Sequence, residues 1–390
     1  MVTTLIDGIF NGISIGSVLL ISALGLAIVF GLMGVINMAH GELMMLGAYA
    51  TFGVQNAFKM LGKDWFEVYI FVAIPIAFLL TALFGLLLER GVIRFLYGRP
   101  LETLLATWGV SLILQQFVRS LNWVLIIGIA IFCTLFFGAW FFIGKRSDFD
   151  RIRNWVIGIM LPLSTGLSIA ICTVLANTYK LAITQPWFGA QNVDVTAPKW
   201  LQSGLKLDSI GLDLQIPYAR LFIIILTLVC LGAIYLFLQG TNWGLKIRAV
   251  TQNRTMSSCL GIPTQQVDAI TFAIGSGLAG VAGCAVSLLG SVGPNTGQNY
   301  IVDTFMVVVV GGVGKLIGSI VAAMAIGTFN YLIGSATLVP LFSSIQPLSD
   351  FFTFFANTAM AKVMVFAFII AFLQWRPAGI FPQKGRSIEN

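Results

Sequence analysis

The sequence predicts an all-α fold, a polytopic transmembrane helical bundle, and three observations carry that prediction. Of its 390 residues, 58% are hydrophobic and only 9% are charged, against roughly 25% charged in soluble chains. Stretches such as Leu79–Leu88, Leu221–Leu238 and Val363–Leu373 are apolar on every face, a pattern at home only in lipid or in a large core. In hydrocarbon every backbone group needs an internal partner, so spans are helices or closed barrels. Long unbroken apolar runs, rather than ten-residue segments of alternating polarity, favour helices.

Taken in order, spans are expected near 10–32, 42–58, 68–88, 102–118, 122–144, 154–177, 218–239, 268–290, 301–312, 317–337 and 361–375, within one transmembrane domain over 1–390. The 301–312 run is shorter than the roughly 20 residues a crossing needs and ends in Gly311, Gly312 and Gly314. A broken or re-entrant helix facing the protein interior is expected there, giving about nine to eleven spans in all. Two longer connections, 178–217 and 338–360, separate spans. The first mixes Pro186, Trp187, Pro198, Trp200 and Pro217 and suits a partly ordered cap, with its tryptophans as interface anchors. Gly8, Gly12 and Gly16 sit four apart, and Gly275, Ser276, Gly277, Gly280, Gly283 and Cys284 crowd another span. Such faces let helix backbones approach closely; lining a narrow pore is the sharper alternative.

The net charge is +7, yet the basic residues punctuate the apolar runs instead of forming a patch, so no nucleic-acid partner is expected. Fourteen of the 22 Lys and Arg fall in 89–100, 145–153, 240–268, 313–316 and 376–390. The positive-inside rule places these segments in the cytoplasm. They alternate correctly with the spans if the N-terminus lies outside and the C-terminus inside a plasma (inner) membrane. The start, MVTTLIDGIF, lacks a basic n-region and a small-residue cleavage site, so no cleaved signal peptide is expected.

Chemistry that is missing narrows the function. His40 is the only histidine, so no multi-histidine metal site is expected, and a Ser-His-Asp triad would have to use that one residue. The five cysteines are scattered without a CxxC pair and read as small buried hydrophobes. None of the Gly-Lys pairs at 62–63, 144–145 and 314–315 has the spacing of a phosphate-binding loop. A proton relay needs a chain of intramembrane carboxylates, and none appears: acidic residues near span centres are almost missing, with Asp303 the main candidate. No cofactor is therefore expected in this chain, and energy for any pumping is expected from another subunit.

Two polar interruptions remain. Gly34-Val35-Ile36-Asn37-Met38-Ala39-His40-Gly41-Glu42 separates two apolar runs, and irregular backbone at membrane depth must be buried in protein or line water. Asn37 can accept from free amides of the next helix, while Glu42 suits that helix's positive end. Segment 240–268 is the most polar cytoplasmic connection, closed by Gly261 and Pro263 as stop signals. Ala249, Met256 and Leu260 give it an apolar side that a docking helix needs.

The blocks Phe30–Glu42, Thr103-Leu104-Leu105-Ala106-Thr107-Trp108-Gly109, Arg248-Ala249-Val250-Thr251-Gln252-Asn253-Arg254 and Val302–Gly314, in that order, resemble the branched-chain amino acid and amide permeases of ABC importers. Asn192-Val193-Asp194-Val195 and the tail Phe381–Arg386 are most similar to the urea-importer permeases of that family. The resemblance covers roughly 1–120 and 188–390. It implies a non-enzymatic subunit that passes urea or a similar small amide, with branched-chain amino acids or short-chain amides as the alternative substrates. It further implies a second permease subunit (a heterodimer), two cytoplasmic ATPase subunits that use the ATP, and an extracytoplasmic substrate-binding protein. Segment 246–263 then corresponds to the coupling helix, with Lys246, Arg248, Ala249, Asn253, Arg254 and Gly261 as coupling residues. The sequence departs from the family at about 121–187, where an extra two-helix hairpin with a charged loop, Lys145 to Arg153, is inserted. A peripheral contact with lipid or another partner is the expected role of that hairpin.

A solute rich in hydrogen-bonding groups loses about 2–7 kcal/mol for each group buried unpaired, so its path must offer polar partners. Asn37, Thr107, Gln115, Gln116, Asn295 and Thr296 are the expected lining residues, being polar and near span ends or breaks. His40, Gly41, Glu42, Gly311 and Gly312 are the expected hinge or gate. A passive polar-solute channel would share the composition without needing the 246–263 segment. An ion-coupled carrier would need mid-membrane titratable groups, and a membrane enzyme a catalytic cluster.

Overall fold

The computed structural model describes residues 2–143, 149–178, 187, 191–206, 215–342 and 346–381. The charged loop at Lys145, Pro186 and the tail beyond Phe381 lie outside the described residues.

The helices follow the apolar runs: α1 (Val2–Met33), α2 (His40–Leu61), the short α3 (Lys63–Phe66), α4 (Tyr69–Gly91), α5 (Pro100–Ser120), α6 (Trp123–Ile143) and α7 (Phe149–Thr178). After a one-turn α8 (Lys199–Gln202) and a small antiparallel pair of strands, β1 (Gly204–Lys206) and β2 (Gln215–Pro217), come α9 (Tyr218–Gly240), α10 (Asn242–Gln252) and α11 (Arg254–Cys259). The chain continues through α12 (Thr264–Leu289), α13 (Thr296–Gly311), α14 (Leu316–Gly334), α15 (Gln346–Phe355) and α16 (Thr358–Trp375). Among the described residues, eight helices are long and apolar enough to cross a membrane. This is the polytopic helical fold expected. The described part of α6 adds a shorter apolar helix. The run at 301–312 is the 16-residue α13, about 24 Å long at 1.5 Å per residue.

The chain divides into two compact units, Met1–Leu112 with Val193–Asn390, and Ile113–Asn192. In the first, α1 and α12 are the central columns. The apolar windows of these two helices are 83% and 78% buried, whereas those of α4, α9 and α16 are 28% or less. α1 packs on α9, α12, α13 and α14, while α12 packs on α2 and α4. In lipid there is no hydrophobic drive between helices, so close van der Waals packing has to hold the bundle. Glycine supplies it: a Cβ placed on Gly12 would strike Thr328, and one on Gly16 would strike Ala323, both on α14. On α12, Gly275 backs onto Gly25 of α1, Gly280 onto Gly47 of α2, and Gly283 onto Met44 and Ala48 of α2. The small-residue faces seen in the sequence are therefore helix–helix seams.

The second unit holds the last turns of α5 with α6 and α7, which pack on each other. Gly128 of α6 faces Cys172 of α7, whose Sγ lies 3.4 Å from the Val124 carbonyl oxygen. Trp187 is held within this unit by its amide, which donates to the Leu121 carbonyl at 2.8 Å, and by its ring against Trp123. In the first unit, Trp200 stacks on Phe71 and donates to the Glu67 carbonyl at 3.0 Å. Val193 bridges to Val292, fixing the connection that enters α13.

Candidate functional site

The segment between α1 and α2 turns back into the bundle. His40 Nε2 lies 3.0 Å from the carbonyl oxygen of Ser22, and Ser22 is 11 residues before the end of α1. At 1.5 Å per residue that is about 16 Å back along the helix, within reach of the extended residues between Gly34 and His40 at roughly 3.3 Å each. Irregular backbone thus runs through the interior beside α1, where its polar groups need partners. The partners are local. Asn37 Oδ1 accepts from the Ala39 amide at 3.1 Å, closing a turn just before α2. The Met38 amide donates to Thr107 Oγ1 at 3.1 Å, tying the break to α5.

A buried polar centre surrounds this turn. Ser111 Oγ donates to Glu42 Oε1 at 3.1 Å, Thr304 Oγ1 donates to Ser22 Oγ at 3.1 Å, and Ser22 Oγ reaches Met44 Sδ at 3.0 Å. Asn37, His40, Glu42, Thr107, Ser111 and Thr304 are all at most 4% exposed. Gly41 meets Gly297 backbone to backbone: a Cβ on Gly297 would sit 2.6 Å from Gly41 O and 2.8 Å from Glu42 Oε2. The first turns of α2 and α13 therefore touch beside a carboxylate, which suits the positive ends of both helices.

Of the residues expected from sequence, Asn37, His40, Gly41, Glu42 and Thr107 are brought together here. Thr296 is nearby in sequence to Gly297; its Oγ1 accepts from the Gly293 amide at 2.8 Å, whereas Asn295 is exposed. Gln115, buried, and Gln116, exposed, belong to the second unit. Gly311 and Gly312 sit at the far end of α13. Gly311 packs on Gly318, and Gly312, with φ of 96°, lies against the Phe381 carbonyl. Ser22, Ser111, Gly297 and Thr304 were not singled out by sequence. Serine, threonine and glycine occur throughout apolar runs, and only the fold shows which face the break.

A second arrangement lies at the polar connection after α9. Thr241 caps α10 by accepting from the Gly244 amide at 3.0 Å, and Asn253 caps α11 by accepting from the Met256 amide at 3.0 Å. α11 ends in a Schellman turn, with the Ile262 amide on Ser257 O and the Gly261 amide on Ser258 O, both at 3.1 Å. Gly261 has φ of 79°, which only glycine adopts cheaply. Ile247, Val250 and Val267 pack as a small core beneath α10. Arg254 bonds the buried carboxylate of Asp268 on α12, and its guanidinium lies 4.9 Å from the Tyr97 ring centre. Tyr97 in turn donates to Glu89 at 3.0 Å, and Arg94 donates to Gln265 at 2.8 Å. Burial, with the Asp268 and Glu89 carboxylates adding, pushes the Tyr97 phenol well above its ordinary pKa.

Among the expected coupling residues, Arg254 thus points back into the bundle, Arg248 bonds Gln239 at 2.9 Å and Lys246 lies 4.6 Å from the Trp243 ring centre. Ala249 is half-buried. The apolar groups left outward are Leu245, Met256 and Leu260, at 59–75% exposure.

The chain matches a family described as branched-chain amino acid transport system / permease component over residues 8–373. It is 24% identical over 376 residues to the high-affinity branched-chain amino acid transport system permease protein LivH of Salmonella typhimurium, covering 95% of this chain and 93% of that one. It is 24% identical over 319 residues to the corresponding permease protein BraD of Pseudomonas aeruginosa, covering 81% and 82%. A probable branched-chain amino acid transport permease of Methanocaldococcus jannaschii matches 46% of this chain and 54% of its own length, at 24% identity. No solved structure matches. With a family match that spans nearly the whole bundle, the chain belongs to the permease components of branched-chain amino acid transport systems.

Proposed function

We propose that this chain is the permease subunit of an ATP-driven importer in the plasma (inner) membrane, passing urea or a similar small amide. The observation that carries the reading is the α10–α11 segment. It is a polar connection, anchored to α4 and α12 through Glu89, Tyr97 and Asp268, that still turns Leu245, Met256 and Leu260 outward. Exposed leucine and methionine on one capped helical segment give the apolar face that a groove in a cytoplasmic partner can take. The ATP is used on two such ATPase subunits; a second permease and an extracytoplasmic binding protein complete the assembly. The N-terminus lies outside and the C-terminus in the cytoplasm.

The buried centre at Asn37, Glu42, Thr107, Ser111 and Thr304 offers hydroxyl, amide and carboxylate groups and no lysine or arginine, which suits a neutral amide with N–H donors crossing in short, weakly held steps. The residue blocks shared with urea-importer permeases support urea. A second reading, a branched-chain amino acid as cargo, is favoured by the relatives, which are permeases of branched-chain amino acid transport systems. Uptake of labelled urea and labelled leucine by the reconstituted complex tests both. Uptake of leucine alone replaces the first reading with the second. Uphill transport by this purified chain without ATPase subunits overturns the importer reading altogether.

A further inference from the structure

Away from the break, a cavity of about 630 Å³ opens between α1, α13, α14 and α16. Its wall carries an ion pair: Lys362 Nζ lies 2.8 Å from Asp303 Oδ2, with Asp303 at 9% and Lys362 at 30% side-chain exposure. Ionisable groups inside membrane-spanning helices are costly to keep and mark solute or ion pathways by default. The other two ion pairs among the described residues have different settings. Arg99–Glu102 is a surface pair one turn apart, and Arg254–Asp268 belongs to the α11 anchor.

The cavity is also equipped beyond that pair. Lys362 has three donors, and the structure uses two of them, on Asp303 and on the Asn299 carbonyl at 2.9 Å. Asn330 and Tyr331 of α14 line the same space, with Ile15 and Leu19 of α1 as an apolar wall. Tyr331 is positioned from outside the cavity: its hydroxyl accepts from Asn11 Nδ2 at 3.1 Å, and the Arg220 guanidinium lies 5.6 Å from its ring centre. A plain strut between α13 and α16 needs none of these groups and no open volume.

We propose that this cavity is a docking site for the transported solute, which inserts at the Asp303–Lys362 pair. Nitrogen-bound hydrogens of the solute go to Asp303, and its carbonyl or carboxylate oxygen goes to Lys362. The pair is satisfied by itself when the site is empty and by the solute when it is full, so no charge is stranded in either state. The shared chemistry is an oxygen acceptor beside N–H donors, as in urea and amides or in an α-amino acid. Ile15 and Leu19 give an aliphatic side chain a place to rest and are not needed by urea. The inference deepens the transport reading above and rests on it.

The test uses the reconstituted complex and both labelled solutes. Asp303→Asn and Lys362→Met are each expected to raise KM for the transported solute at least tenfold, with recovery of the ATPase subunits unchanged. The exchanged pair, Asp303→Lys with Lys362→Asp, keeps a tie between α13 and α16 but reverses donor and acceptor; it is expected to assemble and not restore KM. Wild-type KM in the exchanged pair, or single variants within twofold of wild type, overturns the proposal in favour of a structural tie. Independently, maleimide labelling of Asn330→Cys in a Cys259→Ser background is expected to slow in saturating solute, and an unchanged rate overturns the site. Protection by urea but not by leucine, or the reverse, tells amide from amino acid. Wild-type complex that carries neither solute overturns the transport reading instead, and the labelling result with the same two solutes then decides the cavity.

Discussion

Gly47 and Gly53 lie on the same helix, α2, and the structure assigns them opposite responses to alanine. At Gly47 an added Cβ meets only backbone of α12: the oxygen and Cα of Gly280, with its carbonyl carbon at 2.7 Å. Contacts below 3.4 Å are tighter than nine in ten real ones, so the methyl is at least about 0.7 Å short of room, and no side chain can swing aside. Helix α2 must retreat from α12, and a gap of 0.5–1 Å forfeits roughly a quarter to a half of each contact energy along the seam. Such overpacking costs about 1–3 kcal/mol. At Gly53 nothing lies within 4 Å, so alanine there brings only the helix-propensity gain of about 0.5–1 kcal/mol. Gly47→Ala is therefore expected to melt several degrees below Gly53→Ala when the purified protein is heated in detergent and followed by tryptophan fluorescence. It is also expected to lower uptake, because Met44, whose carbonyl backs onto Gly283 along the same seam, reaches across to Ser22 of α1 beside the break. Equal melting of the two variants would refute the claim that glycine contacts set the bundle's spacing.

Three further outcomes are expected. Ser111→Ala removes a hydrogen bond to the buried Glu42 carboxylate and should destabilise the bundle by about 1.5–3 kcal/mol; an unshifted melting curve dismisses that bond as a support of the break. Met256→Ser with Leu260→Ser should leave melting unchanged, since both side chains are exposed, while sharply reducing recovery of ATPase subunits by affinity capture. Full recovery discards the docking face. Cys259 is exposed on α11, so a membrane-impermeant maleimide should label it in inside-out vesicles and not in intact cells, against a Cys259→Ser control; the reverse pattern inverts the topology.

Sequence alone located most helices closely because hydrocarbon imposes one rule on every residue of a span. The expected 122–144 and 218–239 became Trp123–Ile143 and Tyr218–Gly240. Where that rule is silent, boundaries drifted. α1 starts at Val2 and not near residue 10, because its first turns carry Thr3, Thr4 and Asp7, which apolarity does not mark and nothing breaks. α15 falls inside the expected connection 338–360, because ten residues are too few to cross a membrane and apolar length is the only signal the rule supplies. For the polar centre, Asn37, His40 and Glu42 stood out as foreign to an apolar run. Thr304 and Ser22 did not, because a hydroxyl in a helix can bond its own backbone and betrays nothing of its neighbours. Asp303 was visible as an intramembrane acid, but Lys362 as its counterion required the packing of α13 on α16.

The central place of α1 has a consequence for how the molecule is made. Its Gly12 and Gly16 seat against α14, and its Gly25 against Gly275 of α12, elements that leave the ribosome hundreds of residues later. Until then Asn11 and Ser22, both buried in the finished bundle, stand without Tyr331 and Thr304, facing lipid or the insertion machinery. Long-range pairing of this kind makes assembly slow and intermediates vulnerable. A nascent chain stalled ahead of Gly334 would present a bare, half-polar column, a ready target for membrane quality-control proteases.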